Sequence, residues 1–267
     1  MTVPRLLVIV QVLSIGWLAE IAYGQARSAP AHPAPNGTLR NPAMAEPLRL
    51  VALAEDAIAR VRDYQCVLVK REFLDGALQP YQFILLKVRH RPFSVYMRWL
   101  HPRAGREVIF APELHGFKII AHEVGVKGVV GTLEIDPNSS RARQESRHPI
   151  THIGIANLIR KIRYRWQRAA QDPQYRVEIK PNARVGDRTC ILVKTFSPPN
   201  PRRYEYYRAR VFFDRQHRLP IRVEAYGWPT RTAPEGVLLE EYTYDKLRLN
   251  VGLTNLDFSP NNPAYNF

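Results

Sequence analysis

The sequence predicts a mainly β protein with two helices (α+β), built on a curved antiparallel sheet of about eleven strands that forms a half-open barrel. Three observations carry that expectation. Two long stretches, residues 64–135 and 175–247, alternate apolar and polar side chains with a period of two. Short turn signals separate the alternating segments, which favours consecutive antiparallel pairing. Two further segments, 47–63 and 151–170, carry apolar residues at three- and four-residue spacing instead. So many strands in one sheet would curl, and a curled sheet offers a concave face for a helix to cover.

Residues 1–24 read as an export signal. Arg5 supplies the positive start, Leu6–Leu18 an apolar run, and Ala22-Tyr23-Gly24 the small residues of a cleavage site. An uncleaved anchor over residues 6–21 is the alternative, though the run is short for a span of ~20 residues. Residues 25–47 hold five prolines among Ala, Ser and Asn, the pattern of an extended linker. One β-rich domain, 48–267, is expected to follow.

The first helix is placed at 47–63, where Leu50, Leu53, Ala54, Ala57, Ile58 and Val61 form one stripe. Strands are placed at 64–74, 81–90, 93–100, 106–111, 118–122 and 127–135. Asp75-Gly76, Pro92 and Pro102–Gly105 punctuate them. The second helix, 151–170, has Ile155, Leu158, Ile159, Ile162 and Trp166 on one face. Its only charges are Arg160, Lys161, Arg163, Arg165 and Arg168. Five more strands are placed at 175–180, 189–196, 204–213, 219–226 and 237–247. The tail from Leu256 reads as polar, with aromatics at Phe258, Tyr265 and Phe267.

The chain of 267 residues carries 39 Lys and Arg against 24 Asp and Glu, a formal charge of +15. Residues 141–170 hold eight of those bases and a single acid, Glu145. An anionic partner fits such a surplus. Export and the lack of any nucleic-acid-binding motif argue against DNA or RNA, and leave an anionic membrane surface. Only two cysteines, Cys66 and Cys190, are present, which excludes zinc fingers and disulfide-dense scaffolds. Both lie in strand-like runs. They are either a disulfide, which export would permit, or two buried thiols.

Residues 63–72 (DYQCVLVKRE), 87–97 (KVRHRPFSVYM), 105–109 (GREVI) and 262–267 (NPAYNF) resemble the motifs of the DUF1571 family of exported bacterial proteins. That resemblance spans about Leu50 to Phe267 and implies no chemistry. The order of elements also resembles the periplasmic lipoprotein carriers LolA and LolB and the lipoprotein-like half of RseB. It implies a half-barrel closed by helices around a cavity for acyl chains.

Enzyme constellations are absent from the sequence: no nucleophile elbow, no zinc-protease His pair, no phosphate-binding Gly-rich loop. His148 and His152 have a ligand-like spacing, but Pro149 separates them, and no metal or cofactor is implied. Lys70, Arg71 and Glu72 read as a charged strand segment that pairs across the sheet. The candidate ligand-binding residues are apolar. Phe93, Val95, Met97 and Trp99 share one strand face, and Tyr207, Val211 and Phe213 share another, with Ala209 between Tyr207 and Val211. Ile155, Ile159, Ile162 and Trp166 would cover them. Arg160, Lys161, Arg163, Arg165 and Arg168 are the candidate contacts for an anionic surface. The helix is therefore a lid over a trough, a foot on a membrane, or a seal on an ordinary core. The expected function is an exported carrier or sensor that binds an acyl chain or lipoprotein. The alternative is an envelope protein that docks a protein or polymer with the same fold. Oligomeric state and ligand identity are left open.

Overall fold

In the computed structural model, residues 39–124 and 131–267 are described. The expected export signal, most of the linker and the start of the strand placed at 127–135 lie outside them. The strands in chain order are β1 (Asp63–Leu74), β2 (Ala77–Leu78), β3 (Gln82–His90), β4 (Phe93–His101), β5 (Glu107–Phe110), β6 (Ile119–His122), β7 (Thr132–Ile135), β8 (Arg176–Val185), β9 (Arg188–Phe196), β10 (Arg208–Asp214), β11 (Pro220–Tyr226) and β12 (Leu238–Leu249). The helices are α1 (Ala45–Ile58), the short α2 (Pro112–His115) and α3 (Ser140–Arg143), and α4 (Ile155–Ala169).

All twelve strands belong to one antiparallel, curved, open sheet with the order β7-β6-β5-β4-β3-β1-β12-β11-β10-β9-β8, and β2 pairs only with β1. The two meanders are joined in the middle by β1 and β12, the first and last strands, whose pairing runs from Tyr64↔Leu249 to Glu72↔Glu240. The edges β7 and β8 are consecutive in sequence. The chain between them carries α3 and α4.

Alternation along each strand sends one set of side chains to the concave side. Leu68, Ile84, Leu86, Val95, Met97, Phe110, Val211 and Phe213 are there, packed into one core with α1 and α4. The α4 face Ile155, Ile159, Ile162, Trp166 and Ala169 is buried in that core. Each large apolar side chain removed from water contributes ~1.5–3 kcal/mol, which is what holds the helix to the sheet. Gly154 sets the start of α4. Its φ is +102°, and a Cβ there would sit 3.0 Å from the Tyr64 hydroxyl. That hydroxyl accepts a 3.0 Å hydrogen bond from the Ile155 amide, one of the helix's free N-terminal donors.

Two expectations need correction, and one open alternative is decided. The folded chain begins before residue 48. Asn41 is buried, donates to the Asp172 and Tyr175 carbonyls at 2.8 and 2.7 Å, and caps a turn of 3-10 helix, Pro42–Met44. Met44 is fully buried and Pro42 opens the 3-10 turn, so this stretch does not belong to a linker, while Pro47 lies in the first turn of α1 as its place in the sequence suggests. The first helix also ends at Ile58, because Asp63 already pairs with Arg89. Of the two alternatives for the cysteines the structure has the thiols and not the disulfide: Cys66 and Cys190 are both free and buried. They lie on β1 and β9 with three strands between them, roughly 19 Å along the sheet at ~4.8 Å per strand. A disulfide reaches Cα atoms only ~4.4–6.8 Å apart.

The convex face has a core of its own, which the tail provides. Tyr96, Ile109, Ala111 and Ile120 pack with Phe258, and Leu85, Tyr265 and Phe267 border them. Tyr265 stacks on Tyr96 with ring centroids 4.0 Å apart. Asn266 donates from its amide and its side chain to Glu107, which is fully buried.

Candidate functional site

A cavity of about 830 Å³ lies between the concave sheet and α4. One wall is apolar: Leu68, Met97, Trp99, Val108, Val211 and Val223 from the sheet, facing Ile162 and Trp166 from the helix. Of the residues singled out in the sequence, Met97, Trp99, Ile162, Trp166 and Val211 line this space. Phe93, Val95, Ile155, Ile159 and Phe213 do not. They belong to the solid core that continues around it, where Phe213 meets the Trp166 ring at 6.0 Å and Phe93 meets Phe110 at 6.2 Å. All ten belong to the concave core, six by the strand alternation and four by the helical spacing of α4. Which members face space and which face a neighbouring side chain depends on where α4 crosses, and periodicity does not carry that.

The other wall is polar and was not anticipated. Glu72 and Glu240 stand directly opposite one another on β1 and β12, both buried on the concave side. Like charges facing each other across a sheet would repel. Each is instead compensated by cations and hydroxyls of the surrounding elements, to which the segment leading into α4 adds Ser146, Arg147 and His148. Glu240 accepts from Tyr206 at 2.9 Å, lies 2.7 Å from His148 Nε2 and 3.3 Å from Arg147 Nε, and has Lys161 at 3.7 Å. Glu72 accepts from Lys70 at 3.0 Å, from Ser146 at 3.3 Å and from the Tyr242 hydroxyl. Burial works to raise the Glu240 carboxyl. The hydrogen bond with His148, the Lys161 charge and the Tyr206 hydroxyl outweigh it and hold the group well below the carboxylate range. Burial lowers Lys161 despite the opposing charge of Glu240. Burial and the adjoining carboxylates raise both Tyr206 and Tyr242.

Lys70 and Glu72 thus pair along one strand face, while Arg71, on the other face, donates to the Gln79 carbonyl and lies over the Tyr81 ring at 4.8 Å. No signal in the sequence pointed to Glu240 as a partner of Glu72. The one hint is that both fall in phase with apolar neighbours of their strands, Leu68 and Tyr244, where a solvated side chain does not belong.

The basic residues of α4 do not form one wet row. Arg163 pairs with Glu55 on α1, and Arg165 pairs with Glu205 while lying 4.3 Å from the Tyr206 ring centroid. Lys161 faces Glu240. Arg160 and Arg168 are exposed and donate to the Asn157 side chain and the Tyr164 hydroxyl. The helix is flanked by α1 on one side and the cavity on the other, so most of its charges meet protein.

A family model described as "Protein of unknown function (DUF1571)" matches residues 61–267. The chain belongs to the DUF1571 family. No curated protein matches it. Among solved structures it is similar to the MucA/MucB complex of Pseudomonas aeruginosa, at 13% identity over 80% of this chain and 61% of that one, with a TM-score of 0.45. It is also similar to the lipoprotein LppX of Mycobacterium tuberculosis, at 9% identity over 78% and 96% of the two chains, with a TM-score of 0.44. A LolA-superfamily protein of Nitrosomonas europaea is similar at 10% identity over 79% and 96%, with a TM-score of 0.33. Among the described residues no helix is long and apolar enough to cross a membrane.

Proposed function

We propose that this protein binds an acyl chain, free or attached to a lipoprotein, in the concave cavity, and carries or senses it in the cell envelope after export. The observation that supports the reading is the cavity itself: about 830 Å³ of space with one continuous apolar wall. Sites for small ligands span ~300–1,000 Å³. Burying an aliphatic chain gains ~0.8 kcal/mol per methylene, so a partly enclosed chain reaches useful affinity with no polar contact. Met97 adds an unbranched, adaptable surface to that wall. The export signal read in residues 1–24 gives the compartment, periplasmic or secreted.

Two measurements test the reading. Solvent extraction of the purified protein followed by mass spectrometry should recover a lipid in near-stoichiometric amount. Adding a fatty acyl ligand to delipidated protein should change the fluorescence of Trp166 and Trp99, which both line the cavity. Ala209 also lines it, so Ala209→Trp should fill the space and abolish both signals while the fold is kept. Lipid uptake undiminished in that variant, or none in the parent, refutes the proposal. The second result leaves the docking of a protein or polymer as the function to pursue.

A further inference from the structure

The charges around the cavity are unequal. Seven Lys and Arg side chains line it, and four carboxylates: Glu123, Glu145, Glu205 and Glu240. Most of the bases are matched. Arg106 pairs with Glu123 at 2.8 Å and with Glu145, Arg147 and Lys161 with Glu240, and Arg165 with Glu205. Among the described residues, Arg141 and Arg160 have no carboxylate partner. Both are exposed, as is His152, whereas Leu68, Met97, Trp99, Trp166 and Val211 of the apolar wall are buried. The cavity is therefore polarised, with an inner apolar end and an outer end of surplus positive charge.

The exposed acids of the lining, Glu145 and Glu205, are each taken up by arginines, so the group left at the mouth beside His152 is basic. Partial desolvation at the cavity mouth, and then the neighbouring His148, Lys161 and Arg160, hold the His152 imidazole below its ordinary value. Glu240 answers His148 and Lys161, which leaves Arg160 at the mouth without a carboxylate partner among the described residues. A cation so placed favours an anion beside it, and hydrogen bonds to a charged acceptor are the stronger kind.

We propose that the outer end of the cavity, at His152, Arg160 and Lys161, holds the anionic head, carboxylate or phosphate, of an amphiphile whose aliphatic part lies along Met97, Trp99, Trp166 and Val211. This rests on the chain-binding reading above and adds the headgroup to it. An uncharged lipid would fill the same wall and leave the outer cations unanswered. An anionic one satisfies both ends.

Three probes of equal chain length separate the possibilities: palmitate, methyl palmitate and 1-palmitoyl lysophosphatidate, titrated into delipidated protein. At least one anion should bind about tenfold or more tightly than the ester, the worth of one charge-assisted hydrogen bond. The preference should shrink as salt rises from about 50 to about 500 mM. Preference for palmitate assigns a carboxylate head, and preference for lysophosphatidate a phosphate. Arg160→Gln combined with His152→Gln should bring the anion-to-ester ratio toward one. Both side chains are exposed, so an unchanged melting temperature is the control for folding. Equal binding of ester and anions, or a ratio untouched by the double substitution, overturns the headgroup site and leaves chain binding standing. Failure of all three probes removes chain binding and the headgroup site together.

Discussion

Glu240→Gln deletes one negative charge from the inner wall with almost no change of shape. The carboxylate it replaces is 5% exposed and sits among Tyr206, His148, Arg147 and Lys161 at 2.9, 2.7, 3.3 and 3.7 Å. Removing one partner from a buried charge cluster costs ~3–5 kcal/mol, because the remaining charges stay desolvated. The side chains of Arg147, His148 and Lys161 are 23%, 28% and 36% exposed, so water reaches them and the loss belongs at the low end, about 3 kcal/mol. For a domain of this length that lowers the melting temperature by about 6–12 °C. Acid gives the sign of the effect. The folded-state carboxyl is held below its unfolded value, so its contribution is complete above the ordinary carboxylate range. It is lost as pH falls through the depressed value, because the unfolded chain takes up the proton first. Urea unfolding at pH 7 should show the full gap between parent and variant, and the gap should narrow below about pH 4. A loss under ~0.5 kcal/mol at pH 7, or a gap that widens in acid, would show that Glu240 does not anchor the segment leading into α4.

Two other predictions concern the convex face and the thiols. Phe258→Ala should cost ~3–5 kcal/mol in chemical denaturation, since the ring is fully buried with the Arg89 guanidinium 4.9 Å from its centroid. A cost below ~1 kcal/mol would mean that the tail does not pack there. Cys66 and Cys190 should resist alkylation in the native protein and react fully once it is unfolded. Burial raises both thiols, Cys190 to about 11, with the Asp214 charge adding to the effect. Recovery of a cross-linked pair by non-reducing mass spectrometry would contradict the strand order.

The sheet was legible because most strands alternate in residue type, so β4 reads Phe93, Val95, Met97, Trp99 against Ser94, Tyr96, Arg98 whatever its neighbours are. The helix α4 was legible for the same reason at another period. Three features were not. The contact of β1 with β12 joins residues some 170 apart, and nothing local in Val67–Glu72 or Glu240–Tyr244 announces it. The tail has no period at all. Phe258, Tyr265 and Phe267 are placed by a strap crossing Tyr96 and Ile120, so only the tertiary structure shows that they are core. The polar wall was hidden because Glu72 and Glu240 look like the solvated charges of any strand until their partners are known. Half of the apolar candidates line the cavity, and the other half hold its surroundings together.

The way the half-barrel is closed bears on how a ligand would enter. The edges β7 and β8 are not hydrogen-bonded to each other. What spans the gap is the chain between them, tied to the sheet through side chains: Ser146 at Glu72, His148 and Lys161 at Glu240, and the Ile155 amide at the Tyr64 hydroxyl. None of these ties is part of a β ladder. The segment of Ser146–His148 can therefore shift by giving up a few polar contacts while every strand keeps its pairing. A barrel closed edge to edge would have to break ladder bonds to admit the same chain. Local opening draws on the elements with the fewest backbone bonds to the rest. Here those elements lie between the surplus cations outside and the apolar wall within. An arriving anionic head would meet Arg160 and His152 before its chain reached Trp166. The ties at Glu72 and Glu240 then set the energy of admission. Weakening them, as Glu240→Gln does, should speed exchange of bound lipid in stopped-flow displacement as well as lower stability. A slower or unchanged exchange rate would place the entrance elsewhere on the cavity.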